Sequence, residues 1–242
     1  MQNFYLALAT VAAYLIGSLS FAVIVSRVMG LHDPRTYGSG NPGATNVLRS
    51  GNKTAAVLTL LLDGLKGYLP VLLVAQFGAK FDLGEGSMAL VGLAAFLGHL
   101  WPVFFSFKGG KGVATAAGVL IGLNPWLGLA TLGTWIIIVA FFRYSSLAAI
   151  VAAVFAPFYQ LLIWGGGPTA MTVTVIGLLL VWRHAGNIQK LMSGTESKLG
   201  RKSERSERSA ANAPVQAPMS APGHPHSSKH SSKHSHKHGT KP

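Results

Sequence analysis

No cysteine occurs among the 242 residues, which excludes disulfides, thiolate zinc sites, iron–sulfur clusters and cysteine nucleophiles. Charge is scarce as well. Only 11% of the residues are Asp, Glu, Lys or Arg, against about 25% in a soluble domain, so an ordinary soluble fold is disfavoured. Acids are scarcer still: seven stand against twenty Lys and Arg, and the formal net charge is +13. Half of the residues are hydrophobic, and the mean hydropathy is +0.41. A chain both apolar and basic reads as a membrane protein with basic faces or as a binder of polyanions.

The charge is divided unevenly. Residues 193–242 carry nine Lys and Arg against Glu196, Glu204 and Glu207, together with six of the nine histidines (His224, His226, His230, His234, His236 and His238). After Arg208 the composition is Ala, Pro and Ser, then Ser, His and Lys, with almost nothing to build a core. The expected organisation is a membrane unit over 1–198 and a disordered basic tail over 199–242. Its irregularly spaced histidines suit a solvated tail at least as well as a metal site.

Before the tail, uncharged stretches alternate with short polar connections. A spanning helix needs about 20 mostly apolar residues. Met1–Ser26, Thr54–Ala79 (charged only at Asp63 and Lys66) and Gly86–Phe107 meet that length. Tyr144–Trp182, interrupted at Gly165 to Pro168, has room for two spans. Gly112–Phe142, interrupted at Asn124 and Pro125, is either one tilted helix or two short ones. Counting charge by side decides. With two spans there, seven in all, eighteen of the twenty Lys and Arg fall on the side of the C-terminus. Because positive loops stay cytoplasmic, the expected fold is all-α: an integral membrane protein of seven transmembrane helices, N-terminus periplasmic and C-terminus cytoplasmic. The first span lacks the basic leader and the cleavage pattern of a signal peptide.

The connections on the cytoplasmic side are chemically unusual. The first contains Gly38, Ser39, Gly40, Asn41, Pro42, Thr45, Asn46 and Arg49. Glycines let a backbone turn and present its N–H groups to an anion. Hydroxyls and amides add donors, and a guanidinium forks onto phosphate. The third contains Lys108, Gly109, Gly110 and Lys111 before a predicted helix, a cationic helix start suited to an anion. Gly112 follows Lys111, so this is not a Walker A loop, which needs Ser or Thr there. The fifth holds Arg143, Ser145 and Ser146. The last holds His184 and Asn187, which share a face if the helix continues. None offers a cluster of acids, which argues against a carboxylate-bound metal. Within the spans, Asp63 and Lys66 stand one helical turn apart and are expected to neutralise each other. His99 is expected to be a hydrogen-bonded structural residue.

Three of these segments carry a resemblance. Gly38 through Asn46 with Arg49, then Lys108 through Thr115, then His184, Asn187 and Ile188 with Gly194, Thr195 and Glu196, resemble in order the motifs of the bacterial acyl-phosphate:glycerol-3-phosphate acyltransferase (PlsY) family. The likeness covers about residues 1–198. It departs slightly at Lys190, where the family usually has Arg, and at Pro42, where it often has an aliphatic residue. The resemblance implies a multi-pass enzyme of the bacterial inner membrane with its active face cytoplasmic. It would transfer a fatty acyl group from acyl phosphate to the 1-hydroxyl of glycerol 3-phosphate, giving lysophosphatidic acid and phosphate for phospholipid synthesis. It further implies no cofactor or metal, and a functional link to the enzyme that makes acyl phosphate. By motif, Ser39, Arg49, His184 and Asn187 would be catalytic. Gly38, Gly40, Asn41, Thr45 and Asn46, with Lys108, Gly109, Gly110 and Lys111 for glycerol phosphate, would bind substrate. Ser145 or Ser146 would add a phosphate ligand, and Glu196 would hold structure. The acyltransferase signature of a His followed five residues later by Asp is absent, since Tyr37, Phe104 and Gln189 stand at those positions.

Two other classes fit the basic loops less well. A transporter of organic phosphates should have repeated spans and polar groups near the midplane. A nucleic-acid anchor should have aromatic residues in its tail for base stacking, so no nucleic-acid partner is expected.

Overall fold

The computed structural model describes residues 1–199; the expected tail, beyond Leu199, lies outside the described residues. Among these residues the regular secondary structure is helical. The helices are α1 (Gln2–Gly17), α2 (Phe21–Val28), α3 (Ala44–Leu48), α4 (Lys53–Phe77), α5 (Glu85–Leu100), α6 (Val113–Leu123), α7 (Pro125–Phe142), α8 (Ser145–Tyr159), α9 (Pro168–Arg183) and α10 (Ala185–Met192). A π-helical turn, Gln160–Trp164, extends α8.

Four helical segments are long and apolar enough to cross a membrane, six if each bent pair is one span. The first bent pair is α1 and α2, turned by 46°, and the second is α9 and α10, turned by 55°. Helix α6 carries the difference between six and seven. Its 11 residues reach roughly 16 Å at 1.5 Å per residue, about half of a 30 Å hydrocarbon layer. The break after it is chemically determined. Asn124 Oδ1 accepts the backbone N–H groups of Trp126 and Leu127 at 3.0 and 3.3 Å, and Pro125 takes the first helical position, where no N–H is needed.

Apolar residues face both ways. Val71, Phe96, Leu100, Val119, Leu127 and Ile176 meet in a core shared by α4 to α9, with Ala153 and Ala156 of α8. On α4 the leucines at 58, 61, 65, 69 and 73 form an exposed stripe, spaced three or four residues apart as one helix face requires. Such a surface suits lipid and not water.

Glycine sets the closest contacts. A side chain at Gly118 of α6 would strike the Gly64 carbonyl of α4, and one at Gly67 would strike that of Thr115. Helices approach this closely in membranes through small residues, because packing and not water exclusion holds them together. Gly17 meets the backbone of Ala95 and Gly98 that of Tyr14, seating α1 on α5 in the same way.

The expected pairing of Asp63 with Lys66 is present at 2.7 Å, with both side chains buried. Lys66 Nζ also donates to the Leu19 carbonyl at 2.6 Å. That carbonyl lies in the break between α1 and α2, where the helix no longer supplies a partner. One ion pair therefore balances its own charge and ties down the bend leading into the first polar loop.

Candidate active site

The loop between α2 and α3 is shaped by Asn46. Its Nδ2 donates to the carbonyls of Pro34 (2.6 Å) and Tyr37 (3.2 Å), and its Oδ1 accepts the Ser39 N–H at 3.0 Å and Arg49 Nη1 at 3.5 Å. Every hydrogen of the amide is engaged inside the loop. Asn46, expected among the substrate ligands, is the residue around which the loop folds. Gly38, at φ +58°, lies directly over it. Ser39, Gly40 and Thr45 are exposed and Asn41 half-buried at this surface.

The loop before α6 is held from two sides. Arg183 Nη2 donates to the carbonyls of Gly109 (3.0 Å) and Gly110 (2.8 Å), and Nε to Gly110 at 3.2 Å. Tying back the carbonyls turns the Gly109 N–H side outward, toward an anion, while the Gly110 N–H is held by the His99 carbonyl at 3.3 Å. Lys108 is exposed, whereas Lys111 is half-buried and donates to Asn187 Oδ1.

Helix α9 does not continue through His184, so His184 and Asn187 do not share a face of one helix as the spacing suggested. The chain bends there and restarts as α10, with the Asn187 N–H on the His184 carbonyl at 2.8 Å. The bend turns Asn187 toward Lys111. His184 is buried, and its Nδ1 lies 2.7 Å from the Leu180 carbonyl. Only a protonated Nδ1 can make that bond, so Nε2 carries the lone pair.

Glu196 joins two more segments. Its Oε1 accepts from Asn187 Nδ2 at 2.8 Å and from Ser146 Oγ at 2.7 Å. Ser146 is buried and its single proton is committed there. Ser145 Oγ instead lies 3.3 Å from Thr45 Oγ1, an exchangeable pair of hydroxyls at the mouth of the crevice. Arg49 Nη2 donates to Ser197 Oγ at 3.1 Å, and the Leu199 N–H donates to the Arg143 carbonyl at 2.7 Å. Residues 196–199 thus lie across the site.

Burial sets the electrostatics. Lys111 is pushed down to about 8, mostly by loss of water, with Glu196 opposing and Lys190, Arg49 and Arg183 adding to the fall. Desolvation also pushes His184 down to about 4, opposed by its bond to Leu180. At neutral pH the crevice offers a charged Lys111, an Arg49 fork and a neutral imidazole.

The structure gathers Thr45, Arg49, Lys111, Ser145, Ser146, His184, Asn187 and Glu196 from four separate segments. It leaves Lys108 outside the hydrogen-bonded group. Sequence reasoning passed over Arg183 and Ser197. Arg183 was legible only as a basic residue flanking a span, and Ser197 carried no signal.

These features define a class: a helical membrane protein with a cationic, donor-rich crevice at the ends of its helices. A family model described as glycerol-3-phosphate acyltransferase matches residues 7–194. The glycerol-3-phosphate acyltransferase of Paraburkholderia phytofirmans is 62% identical over 204 residues, covering 84% of this chain and 94% of that protein. That of Albidiferax ferrireducens is 60% identical over 217 residues, covering 87% and 96%. The crystal structure of PlsY, an integral membrane glycerol 3-phosphate acyltransferase, in its glycerol 3-phosphate form matches with a TM-score of 0.76 at 39% identity, covering 81% of this chain and 96% of that one. A lysophosphatidic acid form of the same protein matches at 0.74 and 38%. The chain belongs to the glycerol-3-phosphate acyltransferase family.

Proposed function

We propose that this protein transfers a fatty acyl group from acyl phosphate to the 1-hydroxyl of glycerol 3-phosphate, releasing lysophosphatidic acid and inorganic phosphate. The observation that carries the reading is the crevice in which Arg49, Lys111 and Asn187 meet the hydroxyls of Thr45 and Ser145. Both substrates bear phosphate, and both would find charged donors there. The relatives solved with glycerol 3-phosphate and lysophosphatidic acid support the acceptor and the product.

In this reading Ser39 and Arg49 hold the acyl phosphate, with Gly38, Gly40, Asn41 and the Thr45–Ser145 hydroxyl pair around it. Ser145 is favoured over Ser146 as a phosphate ligand because the proton of Ser146 lies on Glu196. The Lys108 to Lys111 loop holds the glycerol phosphate, and Asn187 and His184 face its hydroxyl. The hydroxyl oxygen attacks the acyl carbonyl carbon, the bond from that carbon to the phosphate oxygen breaks, and the proton passes to phosphate. Acyl phosphate is already activated, so positioning and charge stabilisation carry most of the rate. The proton acceptor follows from relative basicity. A phosphate ester holds its second proton to about pH 6, whereas His184 is pushed to about 4. Burial thus disfavours His184 as the base; the substrate phosphate is assigned that role, and His184 Nε2 serves as a hydrogen-bond acceptor that orients the hydroxyl. Replacing His184 with Gln should lower kcat while keeping the acid limb of the pH–rate profile. Loss of that limb would make His184 the base.

The same reading sets the protein in the bacterial inner membrane with seven passes, α6 and α7 counting as two, and with the crevice and C-terminus cytoplasmic. The lipid bilayer is its medium and the route for the acyl chain. The enzyme that makes acyl phosphate is its functional partner, and no nucleic acid is involved. The catalytic unit is residues 1–198, with 199–242 an appended basic tail. Stoichiometry tests the reaction. Purified protein given both substrates should release one phosphate for each acylated glycerol phosphate formed. Phosphate release without acyl transfer would make it an acyl phosphate hydrolase instead.

A further inference from the structure

Beneath the Lys108 to Lys111 loop lies a buried polar chain that the acyl transfer described above does not use. His99 closes the last turn of α5. A side chain at position 110 would collide with its Nε2, and one at 109 with its carbonyl. The Gly110 N–H donates to that carbonyl at 3.3 Å. Both glycines therefore rest on one residue. The imidazole is itself fixed from below. Thr115 Oγ1 stands 2.9 Å from the Asp63 carbonyl and 3.1 Å from His99 Nδ1. A carbonyl can only accept, so the single hydroxyl proton goes to Asp63. The hydroxyl oxygen must then accept on its other side, and His99 Nδ1 carries the ring proton. The Asp63 carboxylate, 3.7 Å from Nδ1, favours the same tautomer. An unprotonated Nε2 edge is left under Gly110.

We propose that Thr115 and His99 are positioning residues for the Gly109 to Lys111 loop. They lock the imidazole so that the loop backbone at Gly109 and the Lys111 side chain keep the spacing that the phosphate of the acceptor substrate requires. Neither hydrogen-bonds the loop that carries Ser39 and Arg49, which meets this loop only where Gly110 packs near the Pro42 carbonyl, so their influence falls chiefly on one substrate. The inference rests on the assignment of this loop to glycerol 3-phosphate.

Thr115→Val keeps the shape of the side chain and removes the hydroxyl; Thr115→Ser keeps the hydroxyl. With the full chain in lipid nanodiscs, Thr115→Val is expected to raise KM for glycerol 3-phosphate about tenfold, the worth of one well-made hydrogen bond. The KM for acyl phosphate and kcat should stay near wild type, and Thr115→Ser should restore the lost affinity. Hydrogen exchange over residues 107–112, which needs no substrate, should quicken in Thr115→Val and not in Thr115→Ser. If Thr115→Val does not fold, His99→Asn carries the same two measurements, because it keeps a donor toward Thr115 and removes the edge under Gly110. Unchanged exchange, or a Thr115→Ser protein as impaired as Thr115→Val, overturns the proposal. Quickened exchange with a shift in KM for acyl phosphate instead leaves the positioning role standing and removes the loop's assignment to glycerol 3-phosphate.

Discussion

Lys111 should write its own ionisation into the pH profile. Burial holds it near 8 instead of its ordinary 10.5, and a lysine carries its charge only below its pKa. The affinity it gives a phosphate is therefore complete below about pH 7 and is lost as pH rises through 8. The ratio kcat/KM for glycerol 3-phosphate reports the free protein and free substrate. Between pH 7 and 9 the charged fraction of a group of pKa 8 falls about tenfold, and kcat/KM should fall with it. His184, at about 4, stays neutral across that range and does not contribute to the limb. In Lys111→Met the limb should vanish. Its plateau at pH 7 should drop by about one to two powers of ten, the worth of a charge-assisted hydrogen bond of about 1.5–3 kcal/mol. Lys111→Arg should also lose the limb, since a guanidinium stays charged. The assay is initial rates of labelled glycerol phosphate acylation at subsaturating acceptor. A limb near pH 8 that survives in Lys111→Met would refute the reasoning.

Three further outcomes follow from the geometry. Arg183→Lys keeps the charge but cannot fork onto two carbonyls, so KM for glycerol 3-phosphate should rise several-fold with kcat little changed, by the same rate assay. Gly118→Val, which drives a side chain into the Gly64 backbone, should prevent the detergent-solubilised protein from eluting as one monodisperse peak in size-exclusion chromatography. Gly133→Ala, with nothing within 4 Å, should elute as wild type. Lys66→Met leaves Asp63 buried without its partner and should lower stability by about 3–5 kcal/mol, whereas the double change Asp63→Asn, Lys66→Met should recover much of that loss in thermal unfolding.

The helical architecture was legible because its signals are compositional and local. Uncharged stretches mark most of the helices, and Asn124 with Pro125 and Gly167 with Pro168 mark two of the breaks. The bends at Gly17 to Ser20 and at His184 were not legible. The first depends on partners distant in sequence, the backbone of Ala95 against Gly17 and Lys66 on the Leu19 carbonyl, and beyond the second Asn187 is held by Lys111, 76 residues away. The short length of α6 follows from the Asn124 cap, but the span count was drawn from charge and not from helix length.

The site shows the same division. Arg49, Lys111, His184 and Asn187 could be named from motifs and donor chemistry. Their division of labour could not. The Asn46 amide turns inward because Pro34, Tyr37 and Ser39 surround it. Ser146 parts company with Ser145 because Glu196 lies 50 residues away along the chain. The structural role expected of Glu196 gains a mechanism, since one carboxylate oxygen orients both Ser146 and Asn187.

The donor is the heart of the account. Purified protein in lipid nanodiscs, given acyl phosphate and labelled glycerol 3-phosphate without coenzyme A or acyl carrier protein, should form labelled lysophosphatidic acid, and Arg49→Ala should form almost none. Absence of product with acyl phosphate, or product only when an acyl thioester is supplied, would contradict the central claim.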